Sequence, residues 1–198
     1  MSFKELYDFA QTEAVYGQGK RYVSRAVLKD KAVEVAGIEK VVHIQTGADL
    51  GVSRGFWLAP TNKNHPLVKQ LGCHIIVTQR GLNNCWDRFV YVKELTHLFD
   101  VEQERTASAE DFDGLLGEFA TLESLSGGSP QFLSEAKAVW AALALLCPEE
   151  QRLTFEKERN AVMIDDYEIA LRLRIPQIHV PKLFSPSYQV ALKALLDG

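Results

Sequence analysis

The sequence predicts an α+β fold, mostly helical, with a small, largely antiparallel three-stranded sheet ahead of a central buried helix. Three observations lead there. Three short runs rich in Val, Ile, Phe and Trp fall within residues 41–79, separated by clusters of turn-forming residues. Apolar residues recur at helical spacing on both sides of those runs. A chain of 198 residues can also bury roughly 70% of its unfolded surface without crosslinks, so one domain over 1–198 is expected.

The elements follow in order. Ser2 and Glu5 have the spacing of a capping box, and Phe3, Leu6, Phe9, Ala10 and Ala14 then trace one helical face, predicting a first helix to about Tyr16. Gly17 and Gly19 end it, and a second helix is expected within Tyr22 to Ala36, stopped by Gly37. Strands are predicted at Val41 to Thr46, Gly55 to Ala59 and Cys73 to Gln79. Turn residues Gly81, Asn83 and Asn84 lead into the central helix.

From Asp100 to Glu123 eight acidic residues face the single Arg105, interleaved with Phe112, Leu115, Leu116, Phe119 and Leu122. That pattern predicts an amphipathic helix with a solvated acidic face. Leu125 to Pro130 reads as a surface loop or hinge. Ser134 is expected to cap an alanine-rich helix running to Cys147, with Glu135 in its first turn. A charged helix over Glu149 to Met163, a short one capped by Asp165 or Asp166 through Leu173, and a terminal helix over Tyr188 to Leu196 complete the chain.

Composition excludes several classes. The 46% hydrophobic and 24% charged fractions are those of an ordinary globular protein, and a net charge of -4 gives no general attraction to nucleic acid. Direct nucleic-acid binding is therefore not expected. The longest apolar run, Ala138 to Cys147, is about half the roughly 20 residues a membrane helix needs, so no membrane partner is expected. The charged N-terminus lacks the apolar core of a signal peptide, which predicts a cytoplasmic protein. Cys73, Cys85 and Cys147 are odd in number and widely spaced, as buried free thiols would be.

The chemistry concentrates in Asp87 to Asp100, Asp-Arg-Phe-Val-Tyr-Val-Lys-Glu-Leu-Thr-His-Leu-Phe-Asp. On a helical wheel Trp86, Phe89, Val90, Lys93 and His97 share one face, with Glu94 at its border, while Tyr91, Leu95 and Leu98 lie opposite. A helix apolar nearly all round is buried, so Lys93, Glu94 and His97 fall where polar groups need partners. In zinc-peptidase helices two histidines four residues apart grip the metal, and the glutamate after the first activates a water. Here Glu94 and His97 fit that pattern, and Lys93 holds the first histidine's place.

The strand at Ile75 to Thr78, the Arg88-Phe89 pair, the Lys93-Glu94-Leu95-Thr96-His97 block and a second block from Glu135 to Pro148 resemble the ImmA/IrrE family of metallopeptidases. The second block places alanines, Leu145-Leu146, Cys147 and Pro148 at the family's spacing behind Glu135. The resemblance is best over 75–148, and it covers the C-terminal helical segment 165–198 only loosely. It implies a zincin-like α+β fold, with Glu94 as catalytic base and His97 and Glu135 as metal ligands. Two departures stand against it: Lys93 for the first histidine, and Val139 where the family usually has asparagine.

A protonated lysine offers no lone pair to zinc, so two ligands remain where a catalytic site needs three. His43, His65, His74 or His179 are the candidates to complete the set. With metal bound, zinc would polarise the scissile carbonyl while Glu94 carries the proton to the leaving amine. Without it, the Lys93 ammonium would pair with Glu135 or Glu94 as a structural ion cluster. The favoured expectation is a degenerate zinc site without metal, in a non-catalytic or weakly active protein that binds a regulatory protein partner. By resemblance that partner is a transcriptional repressor or similar regulator. The alternative is an active zinc endopeptidase cleaving such a repressor, with the missing ligand supplied from elsewhere. A plain structural reading also stands: His97 a hydrogen-bonded core histidine, Glu94 a surface residue, Glu135 serving its helix's N-terminus.

Overall fold

The computed structural model describes residues 2–12, 22–51, 53–101, 104 and 129–197. Among them the order is α1 (Phe3–Ala10), α2 (Arg25–Ala36), β1 (Val41–Thr46), β2 (Gly55–Leu58), α3 (Pro66–Leu71), β3 (His74–Gln79), α4 (Asn84–Thr96), α5 (Pro130–Leu146), α6 (Glu149–Asn160), α7 (Asp166–Leu173), α8 (Val180–Leu183) and α9 (Pro186–Asp197). The fold is α+β and mostly helical. All but residues 100, 101 and 104 of the acidic helix expected over Asp100 to Glu123, most of the Leu125 to Pro130 loop and the first helix's extension toward Tyr16 lie outside the described residues.

The sheet is mixed rather than largely antiparallel. Its order is β1-β3-β2, with β3 in the middle. β1 runs parallel to β3, from Val41 opposite His74 to Thr46 opposite Gln79, and β2 runs antiparallel, from Gly55 opposite Thr78 to Leu58 opposite Ile75. β3 enters between β1 and β2, which makes neighbours of the two strands that run in the same direction, and α3, a helix not foreseen from the sequence, lies in the β2–β3 connection. It starts on Pro66 with the His65 ring as its cap and ends at Gly72 in the left-handed region. Instead of a hairpin beside β1, the chain then returns into the centre of the sheet. The unbroken apolar run of β3 suits that place, since Ile75, Ile76, Val77 and Thr78 are all buried.

The two faces of β3 meet different layers. Ile75 and Val77 join Leu58, Val68 and Cys73 in a small core beneath α3. Ile76 and Trp57 join the main core, which contains Phe89, Val92 and Leu95 of α4 and the apolar run Ala141 to Cys147 of α5. α4 packs against α5, β3, α2 and β2, and α5 packs in turn against α1 and α9. The central helix is thus enclosed, and every residue from Arg88 to Thr96 is buried. Burying its apolar side chains is worth about 1.5–3 kcal/mol for each large one, which holds its polar residues in place against their desolvation.

Several local expectations change. Ser2 precedes α1 but makes no side-chain cap hydrogen bond, so the capping box is not formed. Ser129 caps α5 by accepting from the Phe132 amide at 3.1 Å, with Pro130 in the first turn. Ser134 therefore lies inside the helix instead of capping it. Glu135 is well past the first turn, so the role of serving the helix N-terminus falls away. Asp165 does cap α7, accepting from the Glu168 amide at 2.8 Å. Cys73 and Cys147 are buried, whereas Cys85 is only half-buried; all three are free. Among the described residues no helix is long and apolar enough to cross a membrane.

Candidate functional site

The site is built where the end of α4 meets the second turn of α5. Asn83 starts α4 by accepting from the Trp86 amide at 3.0 Å. Thirteen residues of helix then bring Lys93 and Glu94 to its last turn. His97 is the capping residue, and the chain tightens into a 3₁₀ turn over His97–Phe99. That turn carries Asp100 back beneath the imidazole, with its Oδ2 2.6 Å from His97 Nδ1.

Four charged side chains converge there with a fifth from α5. Lys93 Nζ lies 2.5 Å from Glu135 Oε2 and 2.8 Å from Glu94 Oε1. His97 Nε2 lies 3.3 Å from Glu135 Oε1 and 3.6 Å from Glu94 Oε2. Ser134 donates to Asp100 Oδ2 at 2.7 Å and sits 3.2 Å from His97 Nδ1. The Trp57 ring, from the α4-facing side of β2, stacks nearly parallel to His97 and to His74, with centroids 6.4 and 5.6 Å away. Glu94 is fully buried, and Lys93 and His97 are 5% exposed.

Burial and charge pull these groups in definable directions. Burial alone would push Lys93 down, but Glu135 and Glu94 more than reverse it, so the ammonium is held above the ordinary lysine range. Burial would likewise neutralise His97, and Asp100 and Glu135 raise it well above the usual imidazole value. Glu135 is held well below the carboxylate range, because Lys93 and His97 outweigh its desolvation. Glu94 is raised, since its burial and the nearby Glu135 charge outweigh Lys93 and His97. Of the two glutamates, Glu94 is therefore the one with the stronger reason to hold a proton.

Lys93, Glu94, His97 and Glu135 are thus brought into one cluster from two sequence blocks about forty residues apart. Ligand atoms of Glu94, His97 and Glu135 all lie within 4.8 Å of one another, a separation that a metal ion could bridge. The Asp100 contact on Nδ1 turns Nε2 toward the two glutamates, as an outer carboxylate does for a metal-bound histidine. Against this, the Lys93 ammonium touches both glutamates. The donor set does not favour zinc while Lys93 is protonated, because the ammonium offers no lone pair and its charge repels a dication beside the same two carboxylates.

The other histidines are engaged elsewhere, and among the described residues none of the four joins the group. His43 Nε2 contacts Thr78 Oγ1 at 2.8 Å, His65 caps α3, His74 stacks on Trp57, and His179 stacks on Phe89 at 4.2 Å. Val139 packs against the main core one turn beyond Glu135. Asp100, Ser134 and Trp57 had no signal in the sequence pattern as site residues, although Asp100 three positions after His97 is within reach once the helix tightens. Ser, His and Asp meet here, yet Ser134 is 2% exposed and contacts the nitrogen that Asp100 occupies, which is not the arrangement of an activated nucleophile.

Comparison of the chain with protein-family models, with curated proteins and with solved structures returns no match.

Proposed function

We propose that the chain is a metallopeptidase-like protein of the ImmA/IrrE kind whose metal site is degenerate, non-catalytic or weakly active, and which acts by binding a regulatory protein. The observation that carries this reading is the place of Lys93. Its ammonium lies between Glu94 and Glu135, where the resemblance would put a metal ion's charge. A tethered +1 charge neutralises part of what a dication would, and it joins the two helices through a buried carboxylate on one and a half-buried carboxylate on the other. It has no Lewis acidity, so it neither activates a water nor polarises a carbonyl as zinc does. Glu94, enclosed and disposed to hold its proton, is a poor general base in that state. The zincin-like fold and the regulator as partner, a transcription factor of the type that active relatives cleave, rest on the sequence resemblance.

The second reading, an active zinc endopeptidase, is favoured by the compact Glu94, His97 and Glu135 group. Glu94 would there be a ligand rather than the base, and Lys93 would have to withdraw. Elemental analysis of protein purified without a metal-affinity tag separates the two. The degenerate site predicts far less than one zinc per chain after gel filtration. A value near one overturns it in favour of the peptidase.

A further inference from the structure

A second cluster of charge lies at the opposite end of α4, away from the Lys93 group. Arg88 is 6% exposed, and its Nη1 donates to the Val23 carbonyl. Among the described residues its Nε and Nη2, both buried, have no hydrogen-bond partner. These two donors form a single edge of the guanidinium, the fork that grips both oxygens of a carboxylate or phosphate. Asp87, its neighbour in the chain, is already taken by Arg25 and by Gln45 Nε2 at 3.1 Å.

Among the described residues the surroundings add positive charge instead of cancelling it. The exposed Arg174 stacks its guanidinium on the Tyr22 ring at 3.8 Å, and Arg88 faces the same ring at 5.3 Å. Arg174 is held in the left-handed region, at φ 55°, where a non-glycine residue is disfavoured by about 1–2 kcal/mol. Burial, with Arg174 and then Arg25 adding to it, pushes Arg88 down to about 10. A buried cation flanked by cations, with a whole two-donor edge unpaired, is the costly half of an ion pair.

We infer that Arg88 and Arg174 form an oxyanion site beside Tyr22, in which the free fork of Arg88 takes two oxygens of a phosphate or carboxylate group and Arg174 closes over it from solvent. Tyr22 covers the fork in the ligand-free state and shifts when the anion enters. The site is independent of the metal question, since it shares no residue with the Lys93 cluster.

The test is thermal unfolding in potassium phosphate and, as a second arm, potassium acetate, each against potassium chloride at equal ionic strength. A saturable rise in Tm is expected in one arm, and the arm that saturates identifies the oxyanion. Arg174→Asn, which tolerates the left-handed backbone, should weaken half-saturation at least about tenfold, as loss of a charged hydrogen bond does. Arg88→Lys, which keeps the charge but removes the fork, should abolish saturation. Arg54→Ala, whose guanidinium lies on the Trp86 ring at 3.7 Å, should leave it unchanged. No rise at matched ionic strength in either arm overturns the site, the fork then being met by water alone. So does an equal response in wild type and Arg174→Asn, which decides the matter even if Arg88→Lys fails to fold.

Discussion

Lys93 Nζ and Glu135 Oε2 approach to 2.5 Å across the interface of α4 and α5, with Glu94 Oε1 on the other side of the same ammonium. The pair joins two helices whose apolar surfaces already pack together. Its removal therefore leaves the interface in place but strands a buried charge inside it.

Lys93→Met should destabilise the fold by about 3–5 kcal/mol, because Glu135 is left without its nearest cation. Urea unfolding with a shared m-value reads this directly. The double variant Lys93→Met with Glu135→Gln should recover a large part of the loss. Additive losses would mean that the two side chains do not interact energetically.

Lys93→His should convert the cluster into a zinc site. His97 Nε2 and Glu135 already face each other at 3.3 Å, so a second imidazole would complete three protein ligands and free Glu94. Isothermal titration with zinc is expected to give one site per chain, tighter than in wild type by at least about tenfold. No gain would show that the three side chains do not converge on one point in solution.

Gly55→Ala should disturb the site through packing alone. A Cβ there would lie 2.5 Å from Val90 Cγ1, 2.9 Å from the Val77 carbonyl oxygen and 3.3 Å from Glu94 Cγ. The backbone carbonyl cannot yield cheaply, so a loss of about 1–3 kcal/mol is expected from overpacking. The readout is the urea midpoint of the Ala variant, and an unchanged value would show that β2 can move away from α4.

Stability should fall on the acid side through His179. Burial, followed by Lys182 and Arg54, lowers its pKa from the ordinary 6.5 to about 4. The unfolded chain therefore binds more protons between those values. Its contribution is fully present above pH 6.5 and is lost as pH falls from there toward 4. His179→Phe, which keeps the stacking on Phe89, should flatten that part of the profile of unfolding midpoint against pH. A slope identical to wild type would assign the acid sensitivity to other groups.

What could be read from the residues was the part governed by periodicity and by charge in an apolar setting. The burial of α4 followed from its lack of a polar face, and a Lys93 partnership with Glu135 or Glu94 followed from the need to compensate charge there. The sheet's parallel pairing was not legible, because the insertion of β3 between β1 and β2 is decided by tertiary packing and leaves no local pattern; the six-residue helix Pro66–Leu71 is too short to show a period. Ser134 was misread because Ser129-Pro130 and Ser134-Glu135 both look like helix starts, and only the packing of α5 against α4 selects the earlier one. Asp100 and Trp57 reach His97 through a 3₁₀ turn and through the sheet, and neither path leaves a local pattern.

The Lys93 ammonium is part of the polypeptide, so its concentration at the two glutamates does not obey mass action with anything in solution. A metal ion in that place would contribute stability in proportion to the logarithm of its free concentration and would be lost to a chelator. The junction of α4 and α5 made by Lys93 is instead complete as soon as the chain folds, whatever the surrounding supply of ions.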